Sequence, residues 1–175
     1  MPLVVAVAAA LSSCGGDDSD SGPFAGDETS SSSDTASPSP SEDVVHQVAA
    51  CDLLSPDEVA AAVGTPVKEG IPNSGEPITG GTFTSCLWMS DDPANPADQA
   101  QLYLYSNTAA ADSAREDDSE DVQGIGDSAF TVSFAGVWVY QGEQSFLAQW
   151  YSFSGNDDDN LPKTKALAEA AADKL

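Results

Sequence analysis

The sequence predicts an α+β domain over residues 48–175, an antiparallel β-sheet with helices packed on one face. Three observations carry that expectation. Five short stretches alternate their side chains in the manner of strands, two of the gaps between them are short Gly-containing links suited to hairpins, and helix signals stand before, between and after the strands.

The elements follow in order. Ser55-Pro56-Asp57-Glu58 has the Ser-x-x-Glu form of a capping box with Pro at the first helical position, so a helix begins there. It runs through Val63, where Gly64 is placed to stop it in a left-handed cap, and Leu54, Val59, Ala62 and Val63 supply one apolar stripe. After a Gly- and Pro-rich stretch from Thr65 to Gly81, Thr82 to Met89 alternates as a strand. Thr84, Cys86 and Trp88 share one face, and Phe83, Ser85, Leu87 and Met89 share the other. Asp91 to Asp98 is a polar turn, and Gln101 to Ser106 is a second strand with Leu102 and Leu104 opposite Tyr103 and Tyr105.

Thr108 to Asp118 reads as a helix whose Ala109, Ala110, Ala111 and Ala114 favour helix but offer little side chain to bury. Three strands are expected next, at Ala129 to Phe134, Val137 to Gln141 and Ser145 to Phe153, separated by Ala135-Gly136 and Gly142-Glu143. The segment Leu161 to Leu175 closes the chain as a helix beginning beside Pro162 and carrying Leu167, Ala170, Ala171 and Leu175.

Charge narrows the range of partners. The chain of 175 residues has 29 acidic and 5 basic side chains, a formal charge of −24. Nucleic acid binding relies on clustered Lys and Arg, and docking on anionic lipid needs the same, so both are excluded as electrostatic partners. The charge divides into −8 between Asp17 and Asp43, where no basic residue stands, and −16 on residues 48–175, which hold 21 acidic and 5 basic side chains.

The N-terminal end reads as an address. Leu3 to Leu11 is an uninterrupted apolar run of nine, too short for a bilayer core that takes about 20 helical residues but suited to an export signal. Leu11-Ser12-Ser13-Cys14 resembles the bacterial lipobox, in which a cysteine is acylated and the peptide is cut in front of it. The resemblance implies a signal peptide over residues 1–13, mature protein from Cys14, and an anchor to the cell membrane on the extracytoplasmic side. Met1-Pro2-Leu3 lacks the positive charge that opens export signals, so the translated start is expected a few residues upstream. Residues 14–47, dominated by Ser, Asp, Gly, Pro, Thr and Ala, are expected to be an extended, disordered acidic tether.

The three cysteines then sort themselves. An exported protein with an odd number leaves one thiol over, and a lipid on Cys14 restores parity. Cys51 and Cys86 form the remaining bridge, closing a loop of about 35 residues and contributing about 3–4 kcal/mol by loop entropy. A zinc site is disfavoured because two sulfurs without a histidine in the domain are too few ligands.

Several of these positions also form a pattern. Cys51-Asp52-Leu53-Leu54-Ser55, Glu58-Val59, Val63-Gly64, Ser85-Cys86-Leu87-Trp88 and Gly124-Ile125-Gly126-Asp127-Ser128-Ala129-Phe130 resemble the motifs of the actinobacterial exported lipoproteins of the domain of unknown function 3558 family. The resemblance covers about residues 48–155. It implies the lipidated signal, the low-complexity tether, the bridge and the fold class, and it implies no activity.

Chemistry is sparse by comparison. Gly124 to Ala129 fits the G-x-G-x-x-A dinucleotide fingerprint by letters, but a strand is expected after it where the fingerprint needs a helix N-terminus. The only histidine, His46, lies at the end of the tether, and Asp52, Asp127 and Glu143 have no spacing that pairs them for acid–base work. Ser128 has no histidine to activate it. Asn156 to Asn160 is dense in oxygen ligands but lacks the ordered alternation of a calcium loop, and Asp112 to Asp121 reads as a solvated face. No catalytic residue, metal or cofactor is therefore expected.

The aromatic residues Trp88, Trp138, Trp150, Tyr103, Tyr105, Tyr140 and Tyr151 are spread over the strands, mostly as core. Because Val137 and Val139 alternate with Trp138 and Tyr140, one pair points away from the main core unless something covers it. The expected function is a lipid-anchored, extracytoplasmic module that binds a small molecule or an envelope protein. The other classes are a passive acidic spacer and a carboxylate-based hydrolase acting through Asp127 or Glu143.

Overall fold

The structure, a computed structural model, describes residues 48–175. The expectations for the signal peptide, Cys14, the tether and His46 lie outside the described residues. Among the described residues no helix is long and apolar enough to cross a membrane.

The expected element order is present, with three short additions. The chain forms α1 (Ala50–Leu53), α2 (Pro56–Val63), β1 (Ile71–Gly75), β2 (Phe83–Met89), β3 (Gln99–Tyr105), α3 (Ala109–Ala114), β4 (Asp121–Val122), β5 (Ser128–Val132), β6 (Gly136–Gln141), β7 (Gln144–Tyr151) and α4 (Asp157–Ala172). All seven strands join one antiparallel sheet in the order β1-β2-β3-β7-β6-β5-β4. β3 pairs with β7 along its whole length, from Gln99 opposite Tyr151 to Tyr105 opposite Ser145.

The two sides of the sheet differ. Cys86, Trp88, Ala100, Leu102, Leu104, Val137, Val139, Phe146, Ala148 and Trp150 face α1, α2 and α4 and form the main core with Leu53, Leu54, Val59, Val63, Leu167, Ala168 and Ala171. Trp88, Trp150, Phe146, Leu54, Leu102 and Leu104 are fully buried there, each contributing about 1.5–3 kcal/mol by the transfer measure. The short α3 lies on the other side, over Phe130 and Trp138, with Tyr105, Tyr140 and Leu147 packed around them.

Local chemistry explains the boundaries. The Ser55 hydroxyl accepts from the Glu58 N–H, the Glu58 carboxylate accepts from the Ser55 N–H at 2.9 Å, and Gly64 ends α2 at φ +68°. The Gly142-Glu143 link makes the expected two-residue hairpin, with Gly142 at φ +60° in the first central position. The last helix starts earlier than the Pro162 signal suggested. Asn156 is its N-cap, accepting from the Asp159 N–H at 3.0 Å, and Asp157, Asp158 and Asp159 occupy the first turn, where the helix dipole favours carboxylates. Its buried stripe is Asn160, Thr164, Leu167, Ala168 and Ala171, while the expected Leu175 is exposed.

The Cys51–Cys86 disulfide is formed, with Cα atoms 4.9 Å apart, and ties α1 to the middle of β2. Gly70 passes directly over it. A Cβ on Gly70 would stand within 2.4 Å of the Cys86 sulfur, 2.9 Å of Trp88 Nε1 and 3.1 Å of the Cys51 sulfur. Gly70→Ala should therefore destabilise the domain by about 1–3 kcal/mol, because a cross-linked sulfur cannot move aside; a urea unfolding midpoint equal to that of the parent chain would contradict this.

A second prediction concerns pH. Glu58 accepts from Lys174 Nζ at 2.7 Å and from both donors of Ser55, and these bonds lower its pKa from 4.5 to about 2. A carboxyl depressed on folding stabilises the native state above its unfolded pKa and loses that contribution as pH falls through the folded one. Wild-type stability should thus decline between pH 4.5 and about 2, and Glu58→Gln should be less stable at neutral pH and flatter across that window, as followed by circular dichroism melts.

Candidate functional site

The side of the sheet away from the main core is built in rows set by strand register. One row is Met89, Gln99 and Tyr151; the next is Leu87, Gln101, Gln149 and Gly136. A third runs Ser85, Tyr103, Leu147, Trp138 and Phe130, and a fourth Phe83, Tyr105, Ser145, Tyr140 and Ser128.

α3 divides this face. Ala111 packs against Phe130 and Trp138, with Tyr105, Tyr140 and Leu147 around them, and the Tyr140 hydroxyl donates to Asp112 at 2.9 Å. The Ser145 hydroxyl donates to the Asn107 carbonyl at 2.7 Å, fixing the loop that leads into α3. Burial and the Asp112 carboxylate raise the Tyr140 pKa above its ordinary value. The question posed by Val137, Val139, Trp138 and Tyr140 is thereby answered: the valines enter the main core and the aromatic pair is covered by α3.

Among the described residues, what stays open lies on β1, β2, β3 and β7. Phe83, Leu87, Met89, Gln99, Gln101, Tyr103, Leu147 and Gln149 are partly accessible, Ile71 and Tyr151 are exposed, and Phe153 is 67% exposed beside Tyr151. The rings form a connected series. Tyr103 and Phe83 have centroids 6.2 Å apart, Phe83 and Tyr105 5.7 Å, and Tyr105 and Trp138 5.2 Å; Tyr151 and Phe153 meet edge to face at 4.7 Å. The Tyr103 hydroxyl donates to Gln101 Oε1 at 3.0 Å, which holds that amide against its ring neighbour.

No charged residue occupies this face on β1, β2, β3, β7, β6 or β5. On the strands the first charge is Asp121, on β4 at the far edge and paired with Arg115, and α3 adds Asp112, which accepts from the Tyr140 hydroxyl. The domain carries 26 charged side chains, and none of them stands on these six strands.

The other sequence candidates settle elsewhere. Gly124 to Ala129 forms a turn into β5, with Gly124 at φ +82° and Gly126 at φ +57°, and a Cβ on Gly126 would meet Val139 Cγ1 at 2.4 Å and the Tyr140 carbonyl at 2.7 Å. These glycines let the chain pass close over β6, and a strand follows them. A shallow hollow of about 300 Å³ opens beside the turn, but its one cation, Arg115, is engaged by Asp121 and by the Phe130 ring at 4.9 Å. The Asp127 carboxylate accepts from the Gly142 N–H at 2.7 Å and pins the β6–β7 hairpin. That brings Asp127 next to Glu143 in the chain fold, both exposed, whereas Asp52 sits on α1, which packs on the opposite half of the sheet. Asn156 to Asn160 is the start of α4, with the Asn156 side chain used for capping.

Among the described residues no three His, Cys, Asp or Glu side chains are grouped to hold a metal. A scan of protein-family models and searches of curated proteins and solved structures return no match to this chain.

Proposed function

We propose that the protein is a lipid-anchored, extracytoplasmic binding module that presents the open face of its sheet to a ligand at the cell envelope. The observation that carries this reading is the aromatic surface on β1, β2, β3 and β7, whose strands bear no charge and which the described residues leave uncovered while α3 shields the rest of the same side. Contiguous apolar surface left open on a monomer marks an interaction site. The lipobox-like Leu11-Ser12-Ser13-Cys14 and the acidic low-complexity stretch that follows support the anchor and tether, as does the resemblance to exported lipoproteins of unknown function. The tether's charge serves to keep the domain away from an anionic membrane surface.

Two outcomes are expected. Cys14→Ala should release the protein to the culture medium, and retention of the variant in the membrane fraction would refute the anchor. A photo-cross-linking amino acid in place of Gln101 should trap a ligand in the host envelope, while the same group in place of Glu169 on the exposed side of α4 should not; equal capture at both, or capture at neither, would overturn the face as the binding surface.

A further inference from the structure

We infer that the ligand of the open face is an uncharged polysaccharide; this rests on the binding-module reading above. The argument begins from the arrangement of two aromatic groups. Phe83 and Tyr103 stand at one end of the face, Tyr151 and Phe153 at the other. Tyr151 is the cross-strand partner of Gln99, four residues along β3 from Tyr103, so the groups are about 13–14 Å apart at strand rise. Between them Gln99, Gln101 and Gln149 form a band of amides, with Gln101 and Gln149 directly opposite each other.

Flat rings accept the C–H faces of sugar rings, and amides both donate to and accept from hydroxyls. A chain of sugars laid across the face meets ring, amide band and ring in turn.

Charge decides among occupants. A neutral face set in a domain of net −16 repels phosphate-bearing polymers and anionic lipid headgroups, and it offers no carboxylate to seat a cationic peptide. A second copy would bring −16 against −16. A lipid tail would bury the glutamine amides and offer them no hydrogen-bond partner of its own. An uncharged, hydroxyl-rich chain is the occupant that satisfies both the rings and the amides.

Affinity gel electrophoresis of the full chain, unacylated through Cys14→Ser, tests this with dextran, mannan and galactan as neutral probes and polygalacturonate as the charged one. At least one neutral polymer should retard the protein and polygalacturonate should not. Tyr103→Ala and, separately, the more exposed Tyr151→Ala, each run well below its own melting midpoint, should weaken the retarding association about tenfold, the loss of one stacked ring. No retardation by any neutral polymer, stronger retardation by polygalacturonate, or retardation that both variants retain would overturn the proposal. If the glycan result fails while the Gln101 cross-link survives, the ligand class is wrong and the face stands; if both fail, the face is wrong as well.

Discussion

The ladder between β3 and β7 is the constraint on which the rest of this domain depends. It joins two antiparallel meanders, β1-β2-β3 and β7-β6-β5-β4, that are otherwise complete by local turns. Seven residue pairs make that joint, and each brings together positions at least 40 apart in the chain, from Tyr105 with Ser145 to Gln99 with Tyr151. The same ladder sets Leu102 opposite Ala148 and Leu104 opposite Phe146 in the main core, and Tyr103 opposite Leu147 and Gln101 opposite Gln149 on the open side. Because strand side chains alternate with a period of two, a slip of one residue would send the amide band into the core. Core and open face are thus held by one register.

Much of this was readable in advance, for physical reasons that differ by element. The first long helix carried its start and stop in Ser55, Pro56, Glu58 and Gly64, all local signals. The central strands alternated cleanly because one side of each enters a core, as Leu102 and Leu104 do. β1 escaped notice because it is an edge strand with Pro72 inside it and nearly every side chain exposed, so burial wrote no pattern into Ile71–Gly75. Phe134 was read as the end of a strand, yet it sits at the hairpin tip with Ala135, both at positive φ, and is 67% exposed. That conformation is unfavourable for a bulky side chain and gives no sign in composition.

The open face was half legible. Alternation set Phe83 opposite Thr84, Cys86 and Trp88, and Tyr103 and Tyr105 opposite Leu102 and Leu104, but which strands lie next to one another, and hence which aromatic residues share a row, is a property of the strand pairing. The extent of the cover was also hidden. Thr108 to Asp118 reads as one helix, whereas α3 ends at Ala114 and its small alanines cover Phe130 and Trp138 with Tyr105, Tyr140 and Leu147 around them. A short helix on that side is what leaves the remainder of the face uncovered.

The place where the chain enters the domain has a mechanical consequence. Val48 offers its carbonyl to the Thr84 hydroxyl at 3.3 Å, Ala50 donates its N–H to the same oxygen at 3.0 Å, and Cys51 is bonded to Cys86. Tension arriving from the N-terminal side therefore meets β2 at Thr84 and Cys86 within three residues of Val48, instead of peeling α1 away from a free end. β2 is flanked by β1 and β3, so the pull is shared by the hydrogen bonds of both ladders at once. A protein held to a surface by its N-terminus and loaded through a ligand on the far part of the sheet would carry the force through that covalent link, and its resistance to extension would drop sharply on reduction of the disulfide.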